Sequence, residues 1–464
     1  MQAKKPTEHP QTTAITKERQ SALAVAIIGA GPSGYYTAEA LTKACPSCQV
    51  DLIDRLPTPF GLIRAGVAPD HQSIKNVARR YTSTNTQDNV RFIGNLSLGR
   101  DITLGELQNL YHAVVLATGA AKDRKLNIDG ENLKGVYGAS AFVGWYNSHP
   151  DYKDLNPNLD ISAAVIIGNG NVALDVARIL AKTPAEFAGT DLARHARHKI
   201  ACSPLKDIYI IGRRGPLHSA FTPKELSELQ KLEQCTPVVS PKDLPNLSTD
   251  AFDHLPTMQK KNLTLLLAMQ QPDPKDQRHV KIHLNFFRRP VAILGTDHPK
   301  AIRLEETTVN DDGICTGTGK TEKLPTGLIV SCIGYRSSPI TDIPYDDRLG
   351  RFISDDKGQI NPGLYTVGWA RRGPTGTIGT NKPDGAEIAA TILENHTPNP
   401  AEKLGRAGLD TIIEKRGLDI VTFSDWKKID QAEIDAAKEG ESRHKFPDID
   451  TMVAIANADA PKTP

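Results

Sequence analysis

The sequence predicts an α/β protein with two Rossmann-like domains, one of them inserted into the other. Short apolar runs typical of buried parallel strands occur at residues 25–28 and 164–167, and each run ends at a glycine-rich turn. A helical pattern follows both turns, so each segment begins a βαβ unit. A strand, a glycine-rich turn and a helix in this order are typical of dinucleotide-binding domains, and the chain contains the arrangement twice.

Composition places the chain among globular proteins of ordinary charge. Its 464 residues suffice for about three average domains and a sizeable core. A formal net charge of +2, without any Lys/Arg block, argues against nucleic-acid binding. Six cysteines are few for this length, which favours reduced thiols over a disulfide scaffold. No apolar run reaches the length of a membrane span.

The N-terminal segment is polar and predicts a disordered tail over residues 1–22. It lacks the apolar region that a secretory signal requires. Mitochondrial presequences are usually poor in acidic residues, whereas Glu8 and Glu18 occur here. We therefore expect a cytoplasmic protein, with the mitochondrial matrix as the alternative.

The first domain is expected to begin with a strand, a helix and a second strand. Apolar spacing predicts the helix from Pro32 to Cys45, and a loop rich in Gly and Pro follows the second strand. The next buried strand ends at Gly119. The expected elements lie at residues 25–28, 32–45, 50–54, 74–81 and 113–119.

The second domain is expected to repeat this order after a linker within residues 122–160. Its helix is predicted from Asn171 to Ala181, and the pattern weakens over residues 236–275. The C-terminal part looks helical and charged, with a loose tail after Ala456. The expected elements after the linker lie at residues 164–167, 171–181, 208–211, 263–269, 328–334, 364–368 and 385–395.

Insertion of the second unit would make the first domain discontinuous. The first domain would then comprise residues 1–121 and 339–464. The inserted domain would comprise residues 122–338.

The first glycine-rich turn, Gly29-Ala30-Gly31-Pro32-Ser33-Gly34, has the spacing that a bound diphosphate requires. Gly29 allows the tight turn, Gly31 leaves room for the pyrophosphate, and Gly34 lets the helix pack on the strand. Asp54 follows about 20 residues later, where a carboxylate can accept hydrogen bonds from both ribose hydroxyls. The turn therefore predicts a nucleotide without a 2′-phosphate, although these residues alone do not distinguish FAD from NAD.

The second turn, Gly168-Asn169-Gly170-Asn171-Val172-Ala173, lacks the acidic residue. The strand that should carry the acid ends in Gly212-Arg213-Arg214 instead. Two guanidinium groups attract a 2′-phosphate, which a carboxylate would repel. The alternative is a solvated arginine pair. Together the two turns indicate FAD and NADP(H) on one chain, and hence electron transfer.

Several longer sequence blocks extend beyond the two turns. They are Pro59-Phe-Gly-Leu62, Gly66-Val-Ala-Pro-Asp-His71, Ala141-Phe-Val-Gly-Trp-Tyr-Asn147, Gly168 to Asp175, Gly212-Arg-Arg-Gly-Pro216 with Lys224-Glu-Leu226, and Gly368-Trp369 with Arg372-Gly-Pro-Thr-Gly376. Together these blocks resemble the adrenodoxin reductase-type ferredoxin–NADP(+) reductases. The resemblance covers most of the chain, from about residue 25 to the Phe423-Ser-Asp-Trp426 segment.

The resemblance implies that NADPH delivers a hydride to FAD, which passes single electrons to a small acidic iron–sulfur protein. It assigns to the FAD site Ser33, Asp54, Leu62, Leu98, Trp369, Gly376, Thr377 and Ile378. It assigns to the NADP(H) site Asn169, Gly170, Asn171, Val172, Arg213, Arg214, Glu225 and Gly376. His71 and Asp175 match positions near the flavin. Asn169 and Asp54 stand where the family often has Gln and Glu, and both keep the type of hydrogen bonding.

The candidate catalytic residues leave alternatives open. His71 is either a group that tunes flavin protonation or a loop histidine bonded to backbone. Asp175 either faces the nicotinamide and flavin or caps buried polar groups, and Glu225 reaches either a ribose or Arg214. Hydride transfer between two cofactors depends on positioning and electrostatics, so no nucleophile and no metal are expected. Cys45 and Cys48 lie at the far end of the first helix, which disfavours a disulfide acting on the flavin.

Basic residues suggest a docking face for the acidic partner. The predicted set comprises Arg194, Arg197, Lys199, Arg288 and Arg289, and the alternative is an ordinary solvated surface. Two other functions remain open at this point. One is an NADPH-dependent disulfide reductase or flavin monooxygenase, and the other is an FAD-binding redox sensor without fast turnover.

Overall fold

The computed structural model describes residues 23–270, 278–396 and 403–458. The predicted tail over residues 1–22 lies outside the described residues, and so does the end of the chain after Ala458. Within these ranges no helix combines the length and apolar content needed to cross a membrane.

The first part of the chain forms parallel strands joined by helices, as predicted. The predicted helical stretch at 74–81 is divided into two short helices. The strands are β1 (Ala24–Ile28), β2 (Gln49–Ile53), β3 (Val90–Gly94) and β4 (Ala113–Leu116). The helices are α1 (Pro32–Ala44), α2 (Leu62–Ala65), α3 (Gln72–Lys75), α4 (Ala78–Thr84) and α5 (Leu104–Leu110).

The linker predicted within residues 122–160 is partly wrong, because this stretch contains folded elements. They are β5 (Lys122–Asp123), β6 (Val136–Gly138) and α6 (Ala139–Tyr146). Phe142, Trp145 and Tyr146 of α6 are almost fully buried in the second core. Turn residues on both sides of this apolar helix obscured it in the sequence.

The second unit follows with its central helix at the predicted bounds. Strand β9 was not predicted, because Thr and Pro interrupt its apolar run. The elements are β7 (Ala163–Ile167), α7 (Asn171–Ala181), α8 (Arg194–Ala201), β8 (Asp207–Ile211), α9 (Pro223–Glu228), β9 (Cys235–Val239), α10 (Thr249–Asp253), α11 (Thr257–Ala268) and β10 (Val280–Asn285).

A three-stranded antiparallel sheet then follows, which sequence reasoning did not predict. Its strands are β11 (Arg288–Gly295), β12 (Pro299–Val309) and β13 (Cys315–Pro325). Strand β13 is almost wholly exposed and rich in Thr, Gly and Lys. It therefore lacks the apolar alternation by which a half-buried strand is recognised.

The remaining elements complete both large sheets. The strands are β14 (Leu328–Ser331), β15 (Tyr335–Arg336), β16 (Tyr345–Asp346), β17 (Arg351–Phe352), β18 (Gln359–Asn361), β19 (Leu364–Thr366) and β20 (Val421–Thr422). The helices are α12 (Trp369–Arg372), α13 (Asn381–Asn395), α14 (Gly405–Arg416), α15 (Phe423–Asp435) and α16 (Ile449–Ala456).

The two large sheets have separate cores, and the strands of the second sheet lie in the sequence between two groups of strands of the first. The first has seven strands in the order β18-β19-β4-β1-β2-β3-β20, and the second has six in the order β6-β14-β7-β8-β10-β9. Strands of the first sheet therefore precede and follow those of the second, and β5 pairs with β15 where the chain leaves and returns. The predicted fold class, two Rossmann-like units with one inserted, is confirmed. The exact domain limits at 121/122 and 338/339 stay a prediction.

Candidate functional site

The first glycine turn has the geometry that a diphosphate cradle needs. A Cβ at Gly29 would lie 2.3 Å from the Ala117 carbonyl oxygen, and one at Gly34 would lie 2.1 Å from the Gly29 oxygen. A Cβ at Gly31 would meet no atom within 4 Å. Helix α1 begins directly after Gly31 without a side-chain cap. Its first N–H groups therefore face open space, where an anion is favoured.

Asp54 lies beside this turn and already binds the backbone. Its Oδ2 accepts a hydrogen bond from Ala30 N at 2.9 Å, and its Oδ1 accepts one from Leu56 N at 3.0 Å. Burial raises its pKa, although these bonds oppose the shift. Each carboxylate oxygen retains a second lone pair, so the expected contact with ribose hydroxyls remains chemically open.

Two other predicted FAD residues, Leu62 and Leu98, lie on separate segments of the first unit. Gly61 brings its backbone against Gly31, since a Cβ there would lie 3.0 Å from the Gly31 Cα. Leu62 comes next and is 42% exposed, which is high for a leucine. Leu98 lies shortly after β3 and is half-buried.

The segment after β19 approaches the same helix from the other side. A Cβ at Gly368 would lie 2.6 Å from the Ser33 Cβ, so the backbone of this segment contacts the start of α1. Trp369 follows, and its Nε1 donates to the Thr375 carbonyl oxygen at 3.0 Å. Gly376 and Thr377 are exposed, whereas Ile378 is half-buried. The structure thus brings Gly368 against the start of α1, and Gly376, Thr377 and Ile378 follow in the same segment.

The second glycine turn repeats this geometry in the second sheet. A Cβ at Gly168 would lie 2.3 Å from the Cys332 oxygen, whereas the nearest atom to one at Gly170 is 4.0 Å away. Helix α7 begins after Gly170, again without a side-chain cap. Val172 in its first turn is half-buried. The second turn therefore offers a second open anion cradle at a helix N-terminus.

Asn169 and Asn171 hold the segment before α9 against this turn. Asn169 Nδ2 donates to Ser219 Oγ at 3.0 Å, and Asn171 Oδ1 accepts from Thr222 N at 2.8 Å. Both amides are therefore engaged in fixing the shape of the turn.

Arg213 and Arg214 follow β8 beside the second turn. In the ranges that the structure covers, neither guanidinium has a hydrogen-bond or ion-pair partner. Arg213 is exposed and Arg214 half-buried. Two adjacent cations without a protein partner leave all their donors available to an anionic ligand.

His71 lies among carboxylates contributed by the second unit. Its Nε2 is 2.9 Å from Glu228 Oε2 and 3.5 Å from Glu225 Oε2, and its Nδ1 is 3.9 Å from Asp175 Oδ1. The imidazole nitrogens thus face carboxylates, so the alternative of a loop histidine bonded to backbone is wrong. Glu225 contacts His71 and Arg178, and among the described residues it makes no contact with Arg214.

Arg178, which the sequence reasoning missed, is the buried centre of this cluster. Its side chain is 2% exposed and makes two hydrogen bonds to Asp70, at 2.8 and 2.9 Å. Its Nη1 lies 2.8 Å from Asp175 and 3.2 Å from Glu228. The signal in the sequence was the i,i+3 spacing of Asp175 with Arg178 and of Glu225 with Glu228, which places each pair on one helix face.

The environment separates the protonation behaviour of these groups. Burial opposes the charge on His71, but the bond with Glu228 and the nearby carboxylates raise its pKa above the usual value. Burial raises the pKa of Glu228 less than His71 and Arg178 lower it, so its net pKa is lowered. Burial raises the pKa of Asp175 and of Glu225. Groups whose pKa values are pushed apart in this way are typical of sites that move protons.

A cavity of about 260 Å³ opens beside His71. Its lining is mostly charged and comprises Asp70, His71, Arg178, Lys182, Glu186, Glu228, Lys231 and Leu232. His71, Asp175 and Glu225 also offer three ligand atoms within 4.8 Å of one another. The Arg178 guanidinium already provides the positive charge at these carboxylates, which disfavours a divalent ion there.

Tyr335 connects this cluster with the segment around Trp369. The two rings stack with centroids 6.0 Å apart and an interplanar angle of 20°. Burial raises the Tyr335 pKa well above its usual value, with Cys332, Asp123 and Asp175 as further contributors. Tyr335 directly follows the strand predicted at residues 328–334 and was assigned no role, so sequence reasoning missed it.

Cys45 and Cys48 lie away from this chemistry, and three residues of the predicted docking set already have carboxylate partners. Cys45 and Cys48 are at the C-terminal end of α1, opposite its glycine turn. Arg197 and Lys199 bond only uncharged oxygens. The other three basic residues pair with carboxylates: Arg194 with Glu441, Arg288 with Glu322, and Arg289 with Glu305.

Comparisons with known proteins agree with this architecture. The family profile of the pyridine nucleotide-disulphide oxidoreductases matches residues 23–230. A relative from Arabidopsis thaliana, named NADPH:adrenodoxin oxidoreductase, mitochondrial, is 41% identical over 89% of this chain and 90% of its own. The human protein of the same name is 39% identical over 93% of this chain and 91% of its own.

Bacterial relatives are equally similar. The NADPH-ferredoxin reductase FprA of Mycobacterium leprae is 39% identical over 93% of this chain and 98% of its own. The structure of Mycobacterium tuberculosis FprA in complex with NADPH superimposes with a TM-score of 0.90 at 36% identity. It covers 94% of this chain and 99% of that one.

Proposed function

This chain belongs to the family of NADPH:adrenodoxin and NADPH-ferredoxin oxidoreductases, and from this premise we propose that it transfers electrons from NADPH through FAD to an iron–sulfur protein. The observation that carries the proposal is the difference between two similar glycine cradles. One lies beside Asp54, and the other lies beside Arg213 and Arg214, whose guanidinium groups have no partner among the described residues. When bound, FAD accepts a hydride from NADPH and releases electrons singly, which is chemistry that side chains do not supply.

The first cradle fits FAD. The open position at Gly31 and the uncapped start of α1 would hold the pyrophosphate through backbone N–H groups. Asp54 would accept ribose hydroxyls with its remaining lone pairs. Leu62 and Leu98 would cover apolar parts of the cofactor, and the exposed turn at Gly376, Thr377 and Ile378 would lie along it together with Trp369.

The second cradle fits NADP(H). Gly170 leaves room for its pyrophosphate, while Asn169, Asn171 and Val172 shape the turn. Arg213 and Arg214 would bind the 2′-phosphate, because guanidinium groups match phosphate geometry and no carboxylate of the described residues pairs with them. Gly376 would lie near both cofactors.

The cluster around His71 would control protons beside the reacting rings. Glu228 holds Nε2 of the imidazole and keeps it charged to higher pH, so that Nδ1 remains a donor on the side of Asp175. The adjoining cavity of about 260 Å³ gives this histidine access to water. Since electrons leave singly while the hydride arrives as a pair, the chain must return a proton to solvent, and His71 has the geometry for that step.

The partner would be a small acidic ferredoxin that docks through basic residues. Arg197 and Lys199 on α8 support the proposal best, since among the described residues neither forms an ion pair with a carboxylate and their hydrogen bonds go to uncharged oxygens. Arg194, Arg288 and Arg289 would contribute less, because each is already paired. The named Arabidopsis and human relatives are mitochondrial. For this chain we propose the cytoplasm, with the mitochondrial matrix as the alternative, to be checked by fractionation.

The experiment is NADPH-driven reduction of cytochrome c, measured with and without a low-potential ferredoxin. We expect a strong dependence on ferredoxin that weakens as the salt concentration rises. Fast turnover without ferredoxin would indicate a general diaphorase. Tight NADPH binding with no turnover in either assay would contradict an electron-transfer enzyme and favour a redox sensor.

A further inference from the structure

The loop that carries Arg213 and Arg214 rests on the three-stranded sheet. Carbonyl oxygens along the loop accept hydrogen bonds from β11, β12 and their flanking residues. Arg288 N donates to the Gly212 oxygen at 3.1 Å, and Phe287 N donates to the Arg214 oxygen at 3.4 Å. The Phe287 ring also covers Gly215, where a Cβ would lie 2.3 Å from the ring.

Thr307 makes the shortest of these contacts. Its Oγ1 donates to the Arg213 carbonyl oxygen at 2.7 Å, and its backbone N donates to the Phe287 oxygen at 2.9 Å. The side chain is 3% exposed and so is held in place by packing. Cys315 Sγ donates to the same Arg213 oxygen at 3.1 Å. One carbonyl thus receives two side-chain bonds, one from β12 and one from β13, at one end of this sheet.

These bonds matter because the arginine side chains have no anchor of their own. In the described parts of the chain, neither Arg213 nor Arg214 has a protein partner. A loop with two adjacent cations must therefore be ordered through its backbone. Ordering it before the ligand arrives lowers the entropic cost of binding.

We propose that Thr307 is a positioning residue for nucleotide selection. It holds the Arg213 carbonyl against the three-stranded sheet and thereby presents both guanidinium groups to the 2′-phosphate. The inference rests on the proposed NADP(H) role of the two arginines. It also gives a function to β11, β12 and β13, which the electron-transfer chemistry does not otherwise use.

The test is Thr307→Val in the full-length flavoprotein, assayed with NADPH and with NADH. The Kd and KM for NADPH should rise about three- to tenfold, the scale of one hydrogen bond. The kcat at saturating NADPH and the KM for NADH should stay unchanged. Thr307→Ser keeps the hydroxyl and should restore the preference for NADPH. Thr308→Val is the matched control, because Thr308 is exposed on the same strand and contacts Thr316.

Two further variants separate the possible failures. Arg213→Ala with Arg214→Ala tests the proposed role of the arginines themselves. If that double variant loses its NADPH preference while Thr307→Val keeps it, the positioning role is overturned and the proposed function stands. If both keep the preference, the arginine assignment fails as well. Cys315→Ala removes the second hydrogen bond to the Arg213 carbonyl oxygen. If Thr307→Val fails to fold, Cys315→Ala takes its place in the test. An unchanged preference for NADPH in Cys315→Ala would then count against the inference.

Discussion

The Nε2 atom of His71 lies 2.9 Å from Oε2 of Glu228, a residue 157 positions away in the sequence. His71 precedes α3 in the first part of the chain, whereas Glu228 ends α9 in the second unit. The side chains are only 10% and 20% exposed, so water screens the pair weakly. The contact therefore couples the protonation of the cluster to the way the two sheets meet.

Glu228→Gln should destabilise the protein in a pH-dependent manner. The His71 pKa is raised in the folded chain and that of Glu228 is lowered, from reference values of 6.5 and 4.5. The stabilisation is thus present between about pH 5 and 6.5 and is lost as pH rises through the folded His71 pKa. We expect a loss of about 1–2 kcal/mol at pH 6 that shrinks above it, measured by urea unfolding across pH.

The same variant should move the pH profile of ferredoxin reduction. Without the carboxylate the His71 pKa falls, so the acid limb, below which the protonated imidazole cannot accept a proton, should shift to lower pH. Glu186→Gln is the control, since Glu186 lines the same cavity without a contact to His71. An unshifted profile in Glu228→Gln would argue against His71 as the proton-transferring group.

Alanine at Gly31 and at Gly34 should have opposite consequences. A Cβ at Gly31 meets nothing within 4 Å, so the apoprotein should keep its stability while FAD content falls. A Cβ at Gly34 would lie 2.1 Å from the Gly29 oxygen, and this overlap should lower the free energy of unfolding by about 1–3 kcal/mol. Flavin absorbance per protein and the Tm of the apoproteins measure the two effects. Full FAD content in Gly31→Ala would place the pyrophosphate elsewhere.

Replacing Arg213 and Arg214 together with Ala should remove the preference for NADPH over NADH. Two charge-assisted contacts of about 1.5–3 kcal/mol each correspond to a change of about a hundredfold or more. The ratio of kcat/KM for the two nucleotides is the measurement. Lys224→Ala is the control nearby, and the assignment fails if the double variant keeps its ratio.

Lys445 should make stability rise with pH above neutrality. The lysine is buried, and its Nζ lies 3.1 Å from Asp191 Oδ2. Burial lowers its pKa to about 7. The unfolded chain binds this proton up to a pKa near 10.5, so the folded state binds fewer protons in that window. Lys445→Met should flatten the slope, which can reach about 1.4 kcal/mol per pH unit.

The buried Lys75 shares Asp191 and also has a lowered pKa, so part of the slope should remain in Lys445→Met. Lys153→Met is the control, because Lys153 pairs with Asp448 at the surface. Equal slopes in Lys445→Met and the unmodified chain would show that this lysine does not titrate near neutral pH.

Charge reversal on α8 should weaken ferredoxin docking. Lys199→Glu is expected to raise the KM for ferredoxin and to reduce its dependence on salt, while NADPH still reduces the flavin. Arg288→Glu should have a smaller effect, because Glu322 already neutralises that arginine. The opposite ranking would move the docking face to the three-stranded sheet.

The amino-acid sequence alone was enough to predict both glycine-rich turns, the bounds of α7 and the arginine pair after β8. These features are local, since strand, turn and helix follow one another within a few residues. The glycines are required by the backbone conformation and close contacts of the turn itself. Only the tertiary structure placed Asp70 and His71 against Arg178 and Glu228, and Tyr335 against Trp369. Such contacts depend on how two separate sheets face each other, and no local periodicity encodes that arrangement. The three-stranded sheet was missed for a related reason: its exposed strand β13 gains its order from pairing with β12 rather than from apolar burial.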